Sequence, residues 1–218
     1  MTWKLDIEIL ELLSSRLCHD LISPVGAVNN GMELLAESPE DPETVEDAVN
    51  LASGSASQAS ALLQFYRAAY GQAGRRMERR EADLEKLADG MARARRSTAE
   101  WPADAAWADV PGGTIKLALN LAALAVECLP RGGRLTIRLQ AGGAGLPEVR
   151  AEGTSARVAE DTRTASSVTT PPHTLTPYTV HAHFTACVAA DQACGIAFET
   201  PAPDVVVIRA IPDGSAVD

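Results

Sequence analysis

Between Leu10 and Leu35 the apolar residues Leu10, Leu13, Leu17, Leu21, Val28 and Leu35 recur every three or four positions. That spacing draws one seam along an amphipathic α-helix and commits the chain to burying one side of an unusually long helix. The helix is predicted to run from about Asp6 to Glu37 and to end at the Ser38-Pro39-Glu40-Asp41-Pro42 turn. Pro42 suits the first turn of a second helix, with Asp41 as its cap and Glu43 and Glu46 near its positive end. Val45, Ala48, Ala52, Ala56, Ala59, Leu62, Tyr66 and Ala69 carry that helix to a stop at Gly71. Two long helices joined by so short a turn make an antiparallel hairpin. Each seam keeps one uncovered side, and the Ala-Ser-Gly middle of the second helix allows close backbone approach. A second copy would close the hairpin into a four-helix bundle, and the C-terminal half could cover it instead; the homodimer is the expectation.

On the first helix His19 lies two residues from both Leu17 and Leu21, a rotation of about 200°, so it points away from the seam toward solvent or a partner. Ser15, Ser23, Gly26 and Asn30 share nearly the same stripe, and such small side chains let another protein approach the imidazole closely. Pro24 removes the hydrogen bond to the Asp20 carbonyl, at a cost of about 3 kcal/mol that something must offset. Asp20 can accept a hydrogen bond from one imidazole nitrogen and leave the other as a free lone pair. His19 is the candidate nucleophile of the chain.

A core for 218 residues with 46% hydrophobic but only 4% aromatic side chains must be built from Ala, Leu and Val, which favours closely packed helices. The net charge of −10 argues against nucleic acid as a partner, since a phosphate backbone needs a basic face. Most of the acidic excess precedes residue 60, whereas Arg67 to Arg96 is basic, either a solvated connector or a docking rim for an acidic partner. Cys18, Cys128, Cys187 and Cys194 show neither CxxC nor metal-ligand spacing and are expected to be reduced thiols. No apolar run reaches the length of a membrane span, and MTWKLDIEILELL has no signal-peptide character, so a cytoplasmic location is expected.

Beyond the arginines of residues 71–80 the pattern changes. Helices are predicted for Ala82–Arg96, Ile115–Leu129 and Thr176–Gln192, with Thr98–Asp109 extended. Strands are predicted for Arg134–Gln140, Pro147–Glu152, Gly195–Thr200 and Asp204–Ile211. The Ser-, Thr- and Pro-rich stretch from Gly153 to His173 fits no element. Gly142-Gly143-Ala144-Gly145 lacks the Lys-Ser/Thr of a phosphate loop and reads as a hairpin turn. His181 and His183 fall on opposite sides of a helix, which does not suit a zinc pair. The fold class is therefore α+β: residues 1–72 a helical hairpin, residues 80–218 helices on one face of a small sheet.

The His-acid-Leu run, the proline five residues later and the small residues beyond it resemble the phosphoacceptor helix of histidine kinases. SRLCHDLISPVGAVNNGMELL is closer still to the alphaproteobacterial histidine phosphotransferases of the ChpT type. In the second half, TIKLALNLAALAVECLPRGGRLTIRL resembles the helix that carries the N box of the kinase ATP-binding domain. Asn120 matches the first Asn there, but Leu124 stands where that family places its Mg²⁺-binding Asn, and no DxGxG or glycine-rich lid follows. Mg-ATP needs oxygen ligands and bare backbone at its phosphates, so the resemblance implies a degenerate ATPase-like domain with no ATP and no cofactor of its own.

The same resemblance implies a phosphorelay intermediary. A receiver domain bearing an aspartyl phosphate would dock on the hairpin and bring its own Mg²⁺. His19 would accept the phosphoryl group, with Asp20 orienting the ring or acting as base, and Arg16 and Ser23 near the phosphate. The donor would be a hybrid histidine kinase of the CckA type and the acceptors response regulators of the CtrA and CpdR type, in cell-cycle control. An ATP-dependent kinase, a non-enzymatic scaffold and a receiver phosphatase are the rival readings.

Overall fold

The computed structural model describes residues 6–72, 81–101, 107, 110–140 and 145–213. Two helices, α1 (Ile7–Glu37) and α2 (Pro42–Ala69), form the hairpin, within a residue or two of the expected limits. Asp6 caps α1 by accepting from the Glu8 N–H at 3.0 Å, and α1 runs without interruption through the buried Pro24. The close approach expected of the Ala-Ser-Gly stretch occurs inside the chain. A Cβ on Gly31 of α1 would lie 2.8 Å from the Ala48 carbonyl and 3.0 Å from the Ala52 Cβ of α2.

The second half follows as α3 (Glu81–Ala94), β1 (Ser97–Glu100), α4 (Gly112–Glu127), β2 (Gly133–Leu139), β3 (Pro147–Glu152), α5 (Glu160–Ala165), α6 (Val180–Ala190), β4 (Cys194–Ala202) and β5 (Val205–Pro212). The five strands form one sheet in the order β1-β2-β3-β5-β4, with β1 parallel to β2 and the remaining pairs antiparallel. Register aligns Ile137 with Val149 and Val149 with Ile208, so their side chains share the face covered by α4. Every residue of α4 from Thr114 to Val126 is buried, between the sheet on one side and α2 and α6 on the other. The opposite sheet face carries ion pairs, Arg138 with Glu148 and Arg209 with both Glu148 and Glu199.

Several boundaries differ from the sequence reading. The helix predicted from Thr176 starts at Val180, because Thr176 and Thr179 close a turn in which the Thr176 N–H donates to the Thr179 hydroxyl at 2.9 Å. Of the described residues in the stretch read as extended from Thr98 to Asp109, those up to Glu100 belong to β1; residues 102–106, 108 and 109 lie outside the described residues, as do 142–144 of the expected glycine turn. The unplaced stretch holds α5 and a 3-10 turn at Pro172–Thr174. Gly132 and Gly133 turn the chain from α4 into β2, and a Cβ on Gly132, at φ 78°, would meet the Arg96 carbonyl at 2.1 Å.

Polar contacts fasten the hairpin to the second half. Lys116 Nζ donates to the Tyr70 and Gly71 carbonyls, both at 3.0 Å, and the Asn120 amide donates to the Ala69 carbonyl at 2.8 Å. These capture the carbonyls that α2 leaves unpaired at its C-terminus. Leu62 and Phe65 of α2 join the core under the sheet, so the His19 end of the hairpin is braced while its turn end projects.

Candidate functional site

His19 is exposed on α1, with 65% of its side chain open to solvent, as its distance from the leucine seam requires. Its Nδ1 lies 3.4 Å from Asp20 Oδ1, which leaves Nε2 as the nitrogen directed outward. The Tyr178 ring stands edge-on to the imidazole, with centroids 5.9 Å apart at 77°. Ser15, His19 and Asp20 line a cleft of about 490 Å³ whose other wall is Asp161, Thr162, Pro177, Tyr178 and Thr179. The C-terminal half therefore forms one side of the site, with Asp161 and Thr162 of the unplaced stretch and with Pro177 to Thr179 of the turn before α6.

Asp20 is almost covered, with 7% of its side chain accessible. Tyr66 of α2 donates its hydroxyl to Oδ2, and Arg95, in the turn between α3 and β1, donates to Oδ1 at 2.7 Å. Burial alone would raise the Asp20 carboxyl, but the Tyr66 hydroxyl, Arg95 and Arg16 together hold it below the usual carboxylate range. A carboxylate so stabilised orients and compensates charge; it is a poor proton acceptor, so of the two roles expected for Asp20 the geometry favours orientation.

Arg16, the cation expected near the phosphoryl group, lines the cleft beside His19 with its guanidinium engaged by other partners. The side chain is 90% buried. Its guanidinium pairs with Glu127 at the end of α4 and donates to the Tyr178 and Pro177 carbonyls at 3.2 and 3.4 Å. Burial opposes its charge most strongly, but Glu127, with Tyr70, Asp20 and Tyr66 adding to it, more than offsets that, so Arg16 stays protonated. Its Nε is 3.8 Å from Asp20 Oδ2, and the side chain lines the same cleft as His19. Arg95, 40% accessible and already on Asp20, is the more open cation beside His19. Sequence distance hid both Arg95 and Tyr66; the hairpin register offered a signal only for Tyr66, by placing the second half of α2 opposite His19.

Ser23, Gly26 and Asn30 line an exposed strip beyond His19 and make no contact with the cleft, and a Cβ on Gly26 would meet nothing within 4 Å. His181 and His183 take separate partners. His181 is fully buried, with Nδ1 on the Tyr70 hydroxyl at 2.9 Å and Nε2 on the Asn120 carbonyl at 3.1 Å, while His183 Nδ1 meets the Ser167 carbonyl at 2.9 Å. No group of three or more metal-ligating side chains exists among the described residues.

The family described as histidine phosphotransferase C-terminal domain matches residues 81–204. Protein phosphotransferase ChpT of Brucella abortus (strain 2308) is 34% identical over 203 residues, 92% of this chain and 94% of that protein. The chain belongs to the histidine phosphotransferases of the ChpT type. A bacterial phosphotransferase solved at 1.7 Å shares the fold of this phosphotransferase at a TM-score of 0.77 and 31% identity, covering 96% of this chain and 98% of that one. A transferase role in a phosphorelay follows from that membership. Among the described residues no helix is long and apolar enough to cross a membrane.

Proposed function

We propose that His19 carries the phosphoryl group between two receiver domains. The observation that supports this best is the environment of the imidazole: Nδ1 faces a carboxylate whose own position is fixed, and Nε2 faces open space. In the forward step the Nε2 lone pair attacks phosphorus of an aspartyl phosphate in line. The N–P bond forms as the P–O bond breaks, the receiver carboxylate leaves, and the positive charge on the ring is balanced by Asp20 through Nδ1–H. In the second step the carboxylate of another receiver takes the phosphoryl group and restores neutral imidazole. Phosphohistidine brings about −1.5 to −2 charges, which Arg95 can partly offset.

The receivers would approach along Ser15, His19, Ser23, Gly26 and Asn30, where only small side chains intervene. By the family resemblance they belong to a hybrid kinase of the CckA type and to regulators of the CtrA and CpdR type, and Mg²⁺ arrives with them. Nucleotide is not expected to bind: Asn120 uses its amide on α2, and Leu124 is buried in the core. A homodimer through the hairpin is favoured by the exposed apolar residues. Among the described residues, every large exposed hydrophobic except Val168 and Tyr178 lies on α1 or α2, including Ile22, Val25, Met32, Val49 and Leu63.

Separate incubation of the protein with labelled ATP and with a phosphorylated receiver domain tests the proposal. Acid-labile, base-stable label from the receiver only, lost in His19→Gln, is the expected result. Label from ATP would make the protein a kinase, and transfer that survives His19→Gln would remove His19 from the path.

A further inference from the structure

Asp20 has more partners than a residue that merely neighbours a nucleophile requires. Each carboxylate oxygen has a strong donor from a different element: Tyr66 of α2 on Oδ2, Arg95 of the α3–β1 turn on Oδ1 at 2.7 Å. The looser contact is the one to His19, at 3.4 Å. Both donors are themselves held. The Tyr66 ring is 8% accessible and stacks on Tyr70, with centroids 5.2 Å apart at 27°, and the Tyr70 hydroxyl is tied to buried His181 at 2.9 Å. Arg95 sits on a turn closed by Arg95 N–H to the Ala92 carbonyl at 2.9 Å and Arg96 N–H to the Arg93 carbonyl at 3.0 Å, with Arg96 at φ 57°. Gly132 backs that turn so closely that no side chain fits between them.

A carboxylate clamped at both oxygens cannot rotate to follow the imidazole, so the imidazole must settle against the carboxylate. We propose that Tyr66 and Arg95 are positioning residues for phosphotransfer, clamping Asp20 so that it holds the His19 ring by Nδ1 with Nε2 turned toward the incoming phosphorus. The inference rests on His19 being the phosphoacceptor and adds that the second half of the chain takes part in the chemistry through Arg95. It also explains why the degenerate domain is fastened to the hairpin by Lys116, Asn120 and Arg16: a swinging domain could not keep Arg95 on Asp20. A carboxylate free to turn would leave the imidazole several rotations, most of them unproductive.

The test uses the full chain with a phosphorylated receiver domain as donor, measuring the transfer rate at saturating receiver and the half-saturating receiver concentration separately. Tyr66→Phe keeps the ring stack and removes the hydroxyl; Arg95→Gln removes the cation from a partly exposed site; Arg95→Lys restores the charge. Tyr66→Phe and Arg95→Gln are each expected to lower the saturating rate about tenfold with the half-saturating concentration unchanged, and Arg95→Lys to recover part of the loss. Nitrogen-15 spectra of His19 supply the second reading: both variants should lose the preference for the tautomer protonated at Nδ1. Wild-type rates and an unchanged tautomer in both variants would overturn the inference while leaving His19 as acceptor. A raised half-saturating concentration with an unchanged saturating rate would make Arg95 a docking contact and overturn it as well. Should Tyr66→Phe fail to fold, Arg95→Gln carries the test alone. Transfer that persists in His19→Gln would refute the reading beneath it instead.

Discussion

Removing Arg16 should destabilise the protein far more than it harms the chemistry. Arg16→Met deletes a 90% buried guanidinium and strands the Glu127 carboxylate beside two carbonyls that lose their donor. Breaking a buried pair from one side costs about 3–5 kcal/mol, because the remaining charge is left unpaired and only partly hydrated. In a protein of this size each kcal/mol moves the melting temperature by about 2–4 °C, so a drop of roughly 6–20 °C is expected. Replacing both partners, as Arg16→Met with Glu127→Leu, removes the stranded charge and should return stability to within about 1 kcal/mol of wild type. Urea unfolding of the two single variants and the double variant closes the cycle, with a coupling of at least about 2 kcal/mol expected. Phosphotransfer then separates the two roles of Arg16. If it only holds the α4 end against α1, the refolded double variant transfers within about threefold of the wild-type rate. Additive destabilisation in the cycle would refute the structural argument, and a stable double variant that transfers no phosphate would return Arg16 to the phosphate.

Further expectations follow from single contacts. Gly26→Ala meets empty space and improves helix propensity, so it should raise stability by about 1 kcal/mol, whereas Gly26→Arg should leave folding intact and abolish transfer by blocking the receiver face; equal transfer by both variants would show that receivers dock elsewhere. Gly31→Val must push α1 from α2 and should lower the melting temperature by several degrees, read by circular dichroism. Leu124→Asn, which restores the amide of the kinase N box, should cost about 2 kcal/mol or more in unfolding and confer no ATP binding by calorimetry, because position 124 is fully buried in the core. His181 is pushed down to about 3 by burial and by the charge of Arg16. Its unfolded value is near 6.5, so below that pH the unfolded chain binds a proton that the folded chain refuses. Stability should then fall on acidification by up to ~1.4 kcal/mol per pH unit for this group, with no contribution above about pH 6.5. His181→Gln should flatten that slope; an unchanged slope would show that another group carries it.

The hairpin was legible because both helices carry long periodic seams with clear stops, and strand β2 because Arg134–Gln140 alternates in the manner of a strand. His19 was legible as a residue rotated away from Leu17 and Leu21, and Asp20 as its neighbour in sequence. What the sequence could not show was how Asp20 is held. Tyr66 and Arg95 are 46 and 75 positions away, and their meeting depends on the second half docking against α1. The partners of Arg16 were hidden for a related reason. Helical spacing places it one turn before His19, but only the docked α4 brings Glu127 to meet it. Of the far cleft wall, Asp161 and Thr162 lie in the stretch that fitted no element, whereas Pro177 to Thr179 read as the start of a helix and instead sit in a turn closed by side-chain bonds such as Thr176 with Thr179.

The central claim is a phosphoryl group on Nε2 of His19, with Nδ1 protonated against Asp20. Phosphorus- and nitrogen-detected magnetic resonance on histidine-labelled protein, taken immediately after mixing with a phosphorylated receiver, reads both atoms at once. A phosphorus resonance coupled to Nε2 of His19, with Nδ1 carrying the proton, is the expected spectrum. Coupling to Nδ1, or to any residue other than His19, would contradict the account.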